Sequence, residues 1–190
     1  MSVYNFPSFK QTRDYDCGTQ VLRNTLIYYG IKTSERKIMK ISGLTEDGTT
    51  ISGMERVLKK FKLKFVSRKM TLAELKNYLD RRIPVILLFQ DRRYHKKDKW
   101  AEVWEHGHFA VAIGYNREYL FLQDPDIKNF ATLRINEVKA RWHASEVDDV
   151  EKKYYQRGIA ALGPENGAYW KKSGDLDLRR NWVKRKRNSA

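Results

Sequence analysis

Apolar residues recur at helical spacing in the first part of the chain. From Asp16 to Tyr29 they fall on one face of a helix, and Gly30 supplies a stop signal. The same pattern predicts three further helices, which follow the capping residue Ser34, the turn 47–50 and the capping residue Thr71.

Short apolar runs follow the predicted helices and indicate β-strands. Pro84–Phe89 is apolar throughout, as expected of a strand in the centre of a sheet. Phe109–Gly114 and Tyr119–Gln123 flank a polar turn and predict a hairpin. Shorter candidates are Phe65–Ser67 and Leu133–Ile135. Helices followed by antiparallel strands predict an α+β fold, with the N-terminal helices packed on an antiparallel sheet.

The stretch from His143 onward differs in composition from the rest. It is polar, carries charges of both signs and ends in the basic run 183–187. We therefore predict a domain over residues 1–143 and a basic C-terminal extension over residues 144–190. In the extension, a helix is expected around Val147–Gly158 and disorder towards the end.

Composition limits the classes of protein to consider. The chain of 190 residues suits one domain, and its 38 Lys and Arg against 23 Asp and Glu give a net charge of +15. This excess attracts anionic partners but leaves nucleic acid, an acidic peptide and an anionic membrane surface open. The sequence has no apolar stretch that would span a membrane, and Met1–Lys10 lacks the features of a secretory signal. Because a single cysteine excludes an internal disulfide, we predict a cytoplasmic protein.

Cys17 is the only thiol, and it stands at the predicted start of the first helix. Backbone N–H groups and the positive end of the helix dipole would stabilise a thiolate there. Gly18 would let a substrate carbonyl approach the backbone closely. A lone cysteine is more often a small buried apolar residue, so other residues must decide between a nucleophile and a core position.

His108 and Asp124 stand at adjoining ends of the predicted hairpin. His108 opens one strand and Asp124 closes the next, so strand pairing brings an imidazole and a carboxylate to the same edge. Such a carboxylate fixes the ring tautomer and stabilises the imidazolium in nucleophile triads. Taken singly, His108 is an ordinary strand-end histidine and Asp124 a turn former before Pro125.

Gln11 is a fourth candidate, six positions before Cys17. Its side-chain amide would pair with the Cys17 backbone N–H as an oxyanion hole, donating to charge that develops only in the transition state. By itself, a glutamine at this position is an ordinary surface residue.

Several short motifs, taken in order, resemble one family, the bacteriocin-processing peptidases that cleave double-glycine leader peptides. Gln11, Asp16-Cys17-Gly18 and Tyr28-Tyr29-Gly30 are similar to that family's cysteine box, and His108-Phe109 with Asp124-Pro125 resembles its histidine box and closing Asp-Pro. The segments 48–51, 75–86 and 138–142 resemble further parts of the same domain. The resemblance covers roughly residues 8 to 143.

The resemblance implies a papain-like cysteine peptidase fold and cleavage after a small-residue pair, Gly-Gly or Gly-Ala. It implies Cys17 as nucleophile, His108 as general base, Asp124 as its orienting acid and Gln11 as oxyanion donor, with no cofactor. The partner would be a peptide or protein substrate, and the positive charge makes an acidic leader peptide a hypothesis. A peptide-binding protein, a deamidase and a transamidase on the same fold stay open.

Two features depart from well-known members of that family. Those members are N-terminal domains of ATP-driven exporters, whereas this sequence shows neither membrane spans nor a nucleotide-binding motif and resembles free-standing members. The segment Gln90–Gly107 is longer than a compact member needs and directly precedes His108. We expect it to form either a lid or substrate-reading loop at the cleft mouth, or a solvated surface hairpin.

Two hypotheses come from other classes of function. His106 and His108, with His95 or His143, suggest a metal site, but their spacing matches no recognised ligand set. The tail 179–187 combines cations with Trp182, which suits phosphate contacts and base stacking, so nucleic-acid binding is the alternative function. A solvated tail is the more common explanation of such a run of charges and is favoured here.

Overall fold

Helices occupy the first half of the chain, as the apolar pattern predicts. The structure is a computed structural model, and it describes residues 2–93, 95–105, 107–127, 130–146 and 151–164. The first helices are α1 Cys17–Tyr28, α2 Glu35–Ser42, α3 Ile51–Lys60 and α4 Leu72–Asp80. Within these described ranges, no helix has both the length and the apolar character needed to cross a membrane.

Capping residues hold the starts of three helices, and two of them, Ser34 and Thr71, are predicted as caps from the sequence. Ser34, Thr50 and Thr71 each accept a hydrogen bond through the side-chain oxygen from a backbone N–H three residues on. At α4 the Glu74 carboxylate also accepts from the Thr71 N–H at 2.8 Å, which completes a capping box. Local capping therefore fixes where these helices begin.

An antiparallel sheet forms the centre of the molecule. In spatial order its strands are β2 Leu63–Lys69, β9 Arg157–Pro164, β3 Val85–Gln90, β4 Gly107–Tyr115, β5 Tyr119–Gln123 and β6 Ala131–Arg134, and β1 Ser2–Val3 also pairs with β4. A separate hairpin consists of β7 His143–Glu146 and β8 Lys152–Tyr155, and α5 Ile135–Arg141 precedes it. Every residue of β3 is buried, as its continuous apolar run predicts.

Helical segments cover both faces of the sheet. Leu88 pairs with Phe109, so Val85 and Phe109 point to opposite faces because side chains alternate along a strand. The start of α1 lies on the Phe109 face, where a Cβ added to Gly18 would be 3.4 Å from the Phe109 ring. Trp142, at the end of α5, lies with Val85 on the other face, next to Gly158. The α+β prediction, with N-terminal helices packed on an antiparallel sheet, is confirmed.

The prediction for the C-terminal part is wrong where the structure describes it. Instead of a helix around Val147–Gly158, the chain forms β8 and then enters β9 at Arg157; residues 147–150 lie outside the described residues. β9 lies between β2 and β3 and pairs with both. The sheet therefore extends to Pro164, beyond the boundary predicted at residue 143. Residues 165–190, including the end predicted to be disordered, are not among the described residues.

The segment that follows β3 is anchored to the rest of the fold. Its described residues contain a short 3-10 turn, Trp100–Glu102, and no hairpin, so the surface-hairpin interpretation is wrong for them. Arg141 of α5 donates to the Gln90 and Asp91 carbonyls at 3.0 Å each, and its guanidinium stacks on Trp100 at 4.0 Å. Trp104 packs against His143 with ring centroids 4.5 Å apart. A role as a lid or substrate-reading loop stays a prediction.

Candidate active site

Cys17 is the first residue of α1, and its side chain is buried. The backbone N–H groups of the first helical turn have no partner within the helix, so Cys17 stands at the positive end of the helix dipole. Asp16 precedes it as the N-cap residue, and Gly18 follows it. The prediction that the thiol stands at a helix N-terminus is confirmed.

His108 and Asp124 meet at the edge where β4 begins and β5 ends. The His108 Nε2 atom lies 2.7 Å from Asp124 Oδ1, and the side chain of Asp124 has no exposed surface. The backbone N–H of Asp126 donates to the same oxygen at 3.0 Å, so the turn after β5 holds the carboxylate in place. Phe89, which pairs with His108 across the strands, contacts the imidazole edge to face.

The Cys17 thiol completes this group on the other side of the imidazole. It lies close enough to the His108 ring for a hydrogen bond and a charge interaction. Because Nε2 faces Asp124, the Nδ1 atom is the one left for the sulfur. Burial disfavours the charged ring, but Asp124 and then Cys17 outweigh it and raise the pKa of His108 well above the ordinary 6.5. A thiol beside a protonatable ring held by a carboxylate suits nucleophilic acyl transfer.

Gln11 lies beside the turn that carries Asp124. Its backbone N–H donates to the Pro125 carbonyl at 2.8 Å, which ties the segment before α1 to the end of β5. Its Oε1 atom is buried and accepts no hydrogen bond within the described part of the chain. The structure thus places all four sequence-predicted residues at one end of the sheet.

Asp16 organises the loop between Gln11 and Cys17, a role that the sequence reasoning missed. Its side chain is fully buried, and Oδ2 accepts from the N–H and the hydroxyl of Thr12 at 3.3 and 3.0 Å. The sequence signal for these hydrogen bonds is an Asp four residues after a Thr, just before the first helical turn.

The segment before α3 packs against the start of α1, next to Cys17. Gly18 packs so tightly on Thr49 that an added Cβ would lie 2.7 Å from the Thr49 Cβ. The Glu146 carboxylate of β7 accepts from the Ile51 N–H at 2.7 Å and so holds this segment from the other side. No local pattern predicts this contact, because β7 and α3 are far apart in the chain.

The remaining histidines do not form a metal site in the described structure. The His143 Nε2 atom lies 2.7 Å from the Val103 carbonyl, and burial lowers the pKa of its ring. Among the described residues no three His, Cys, Asp or Glu side chains come together as ligands. His106 and the basic tail 179–187 lie outside the described residues.

The fold is similar to those of three solved peptidase structures. The peptidase domain of Streptococcus ComA, a bifunctional ABC transporter of a quorum-sensing pathway, is 22% identical, with a TM-score of 0.61 over 85% of this chain and 99% of that one. A double-glycine motif protease from an AMS/PCAT transporter, solved with its leader peptide, is 14% identical, with a TM-score of 0.62 over 85% of this chain and 95% of that one. A C39-like peptidase from Bacillus anthracis is 17% identical, with a TM-score of 0.62 over 92% of this chain and 100% of that one.

The family comparison covers the whole site. Curated proteins give no significant match to this chain. The family model described as "Peptidase C39 family" matches residues 5–147, a span that includes Gln11, Cys17, His108 and Asp124. Because the match spans most of the sequence, the chain belongs to the peptidase C39 family and is a cysteine peptidase.

Proposed function

We propose that this peptidase cleaves a peptide bond after a small-residue pair, Gly-Gly or Gly-Ala, through Cys17, His108 and Asp124. The observation that carries the proposal is the placement of the His108 ring between the Asp124 carboxylate and the Cys17 thiol. Membership of the family supports the same assignment.

The reaction follows from the geometry of these groups. The Cys17 thiolate attacks the scissile carbonyl carbon, and the protonated His108 ring gives its proton to the leaving amine as the carbon–nitrogen bond breaks. His108 then takes a proton from water as the water oxygen attacks the thioester; the acid product leaves, and the Cys17 thiolate beside protonated His108 is restored. Asp124 holds the ring and stabilises its positive charge in both steps.

Charge on the carbonyl oxygen needs donors during both steps. The backbone N–H of Cys17 at the start of α1 supplies one, and the side-chain amide of Gln11 supplies the second. Support for Gln11 comes from its backbone bond to Pro125, which holds the residue next to the Asp124 turn.

The proposed substrate is a leader peptide with a double-glycine motif. Support comes from the double-glycine motif protease of the AMS/PCAT transporter, whose structure contains its leader peptide. Residues without a side chain, or with only a methyl group, would precede the scissile bond.

The test uses a library of peptides that contain Gly-Gly or Gly-Ala pairs, with mass spectrometry to map the cut sites. We expect the wild-type protein to cut after the second residue of the pair and the Cys17→Ala variant to leave every peptide intact. Cleavage that survives in Cys17→Ala would show that Cys17 is not the nucleophile. A mass change from deamidation or amine transfer without chain cleavage would instead favour another acyl transfer.

A further inference from the structure

Gln11 lies in a segment that forms neither a helix nor a strand. This segment, residues 8–12, leads from β1 towards α1, and we call it the donor segment. Its position therefore depends on contacts with other elements. The Gln11 N–H donates to the Pro125 carbonyl at 2.8 Å. Gln123 of β5 donates from Nε2 to the Ser8 hydroxyl, also at 2.8 Å. The end of β5 and the turn after it thus hold the donor segment from one side.

Asn24 of α1 holds the donor segment from the other side. Its Oδ1 atom accepts from the Phe9 N–H at 3.0 Å, and its Nδ2 atom donates to the Phe9 carbonyl at 3.4 Å. One side-chain amide thus pairs with both backbone groups of a single residue, as a neighbouring strand would. Only one orientation of the amide makes both bonds, so this contact fixes how the segment lies against the helix.

The place of Asn24 in the interior is explained by these two bonds. The residue is fully buried, and asparagine is a poor helix former whose amide is costly to bury without partners. Its neighbour Thr25 is also buried, but the Thr25 hydroxyl donates to the Val21 carbonyl within the same helix at 2.7 Å. Asn24 instead bonds to a residue 15 positions earlier, so its polar atoms serve the tertiary structure.

A second contact from α1 lies on the other side of Gln11. Thr12 donates from its N–H and its hydroxyl to the carboxylate of Asp16, the N-cap residue of α1. From Asp16 to Asn24 the helix rises by about 12 Å. From Phe9 to Thr12 an extended chain spans about 10 Å. Because the two lengths are similar, the donor segment runs back along the helix with little slack, and Gln11 lies between the two contacts.

We propose that Asn24 is a positioning residue for the oxyanion donor. Its amide holds the donor segment on α1, so that one helix places both the Cys17 nucleophile and the Gln11 side chain. The inference rests on the proposed function, in which Gln11 donates to the carbonyl oxygen. Asn24 is buried away from substrate and acts through Gln11. A displacement of about 1 Å in such a group costs on the order of 10²-fold in rate, so the position of the segment matters.

The test replaces Asn24 with Leu, which has a similar volume and makes neither hydrogen bond. The probe is a quenched fluorescent peptide with one Gly-Gly pair, and kcat and KM are measured on the full-length protein. We expect Asn24→Leu to lower kcat about 10- to 100-fold and to change KM by less than about twofold, because the donor acts only in the transition state. Thr25→Val is the matched control, since it also replaces a buried polar side chain of α1 with an apolar one. It should leave kcat within about twofold of the parent value.

A double variant shows through which residue Asn24 acts. In Gln11→Ala the donor is absent, so adding Asn24→Leu should lower kcat by less than about a further twofold. The rate at which iodoacetamide alkylates Cys17 should be the same in Asn24→Leu and in the parent, because the thiol and His108 keep their places. Thermal melts show that each variant is folded. If Asn24→Leu does not fold, Asn24→Ser is assayed in the same way, since serine is too short to pair with both backbone groups of Phe9.

The possible results separate the positioning role from the proposed function. A lower kcat in Gln11→Ala with an unchanged kcat in the Asn24 variants would overturn the positioning role and leave the oxyanion role standing. Additive losses in the double variant, or slower alkylation of Cys17 in Asn24→Leu, would also overturn it, because they would show a general disturbance of α1. An unchanged kcat in Gln11→Ala would refute the oxyanion role itself and this inference with it.

Discussion

The Nε2 atom of His108 lies 2.7 Å from Oδ1 of Asp124, and only 10% of the His108 side chain is exposed to solvent. In this buried contact the carboxylate stabilises the protonated ring, and the pKa of His108 is raised well above 6.5. The proposed mechanism needs that proton for the leaving amine. Activity should therefore persist above neutral pH and fall only as the pH rises through the raised pKa of His108.

The variant Asp124→Asn tests this relationship. Loss of the carboxylate removes the charge that raises the pKa of His108, so the alkaline limb of the kcat/KM profile should move to lower pH. By analogy with other triads, kcat at neutral pH should fall by about 10²- to 10⁴-fold. The measurement is kcat/KM against pH for both proteins. An alkaline limb at the same pH in the variant would show that Asp124 does not control His108.

Gln11→Ala should lower kcat by about 10²- to 10³-fold and leave KM nearly unchanged, because an oxyanion donor acts only in the transition state. The melting temperature should not change, since the Gln11 backbone bond to Pro125 is retained. Gln11→Glu should be slower still, because it places a negative charge near the oxyanion. A matching fall in stability would indicate a structural role instead.

Gly18→Ala should destabilise the protein by about 1–3 kcal/mol, a typical cost of overpacking. The added methyl would lie 2.7 Å from the Thr49 Cβ, so the backbone must move. Thr49→Gly removes that Cβ, and the double variant should recover part of the loss. Urea unfolding of the four proteins measures the coupling. Additive effects of the two substitutions would contradict the close contact.

A chain that ends after Pro164 should fold and keep a cooperative thermal transition. A chain that ends after Gln156 lacks β9, which would leave the edges of β2 and β3 unpaired and the core without Ile159, Ala160 and Ala161. We expect this shorter chain to aggregate or to melt without cooperativity. Circular dichroism melts of the two proteins make the comparison, and a folded shorter chain would support the predicted boundary at residue 143.

Much of the site could be predicted because its signals are local. The strands that carry His108 and Asp124 are joined by a short turn, so their pairing follows from neighbouring residues. Cys17 is placed by the apolar periodicity that defines α1. Gln11 needed the family resemblance, because its contact with Pro125 joins segments that are distant in sequence.

The features that the sequence did not predict depend on contacts between distant segments. The apolar run in β9 is short and rich in Gly and Ala, and a helix or a buried strand would suit it equally. Its strand conformation is fixed by β2 and β3, which lie far earlier in the chain.

The position of β9 also governs when the enzyme is complete during synthesis. The residues of the proposed triad have all been translated before β9, yet the sheet that supports them stays divided between β2 and β3 until that strand arrives. A ribosome-bound chain thus contains the proposed catalytic residues before its sheet is complete. Strands so far apart in sequence pair late in folding. We therefore expect catalysis to begin only once the strand that ends at Pro164 has left the ribosome, so nascent chains should be inactive towards peptides around them.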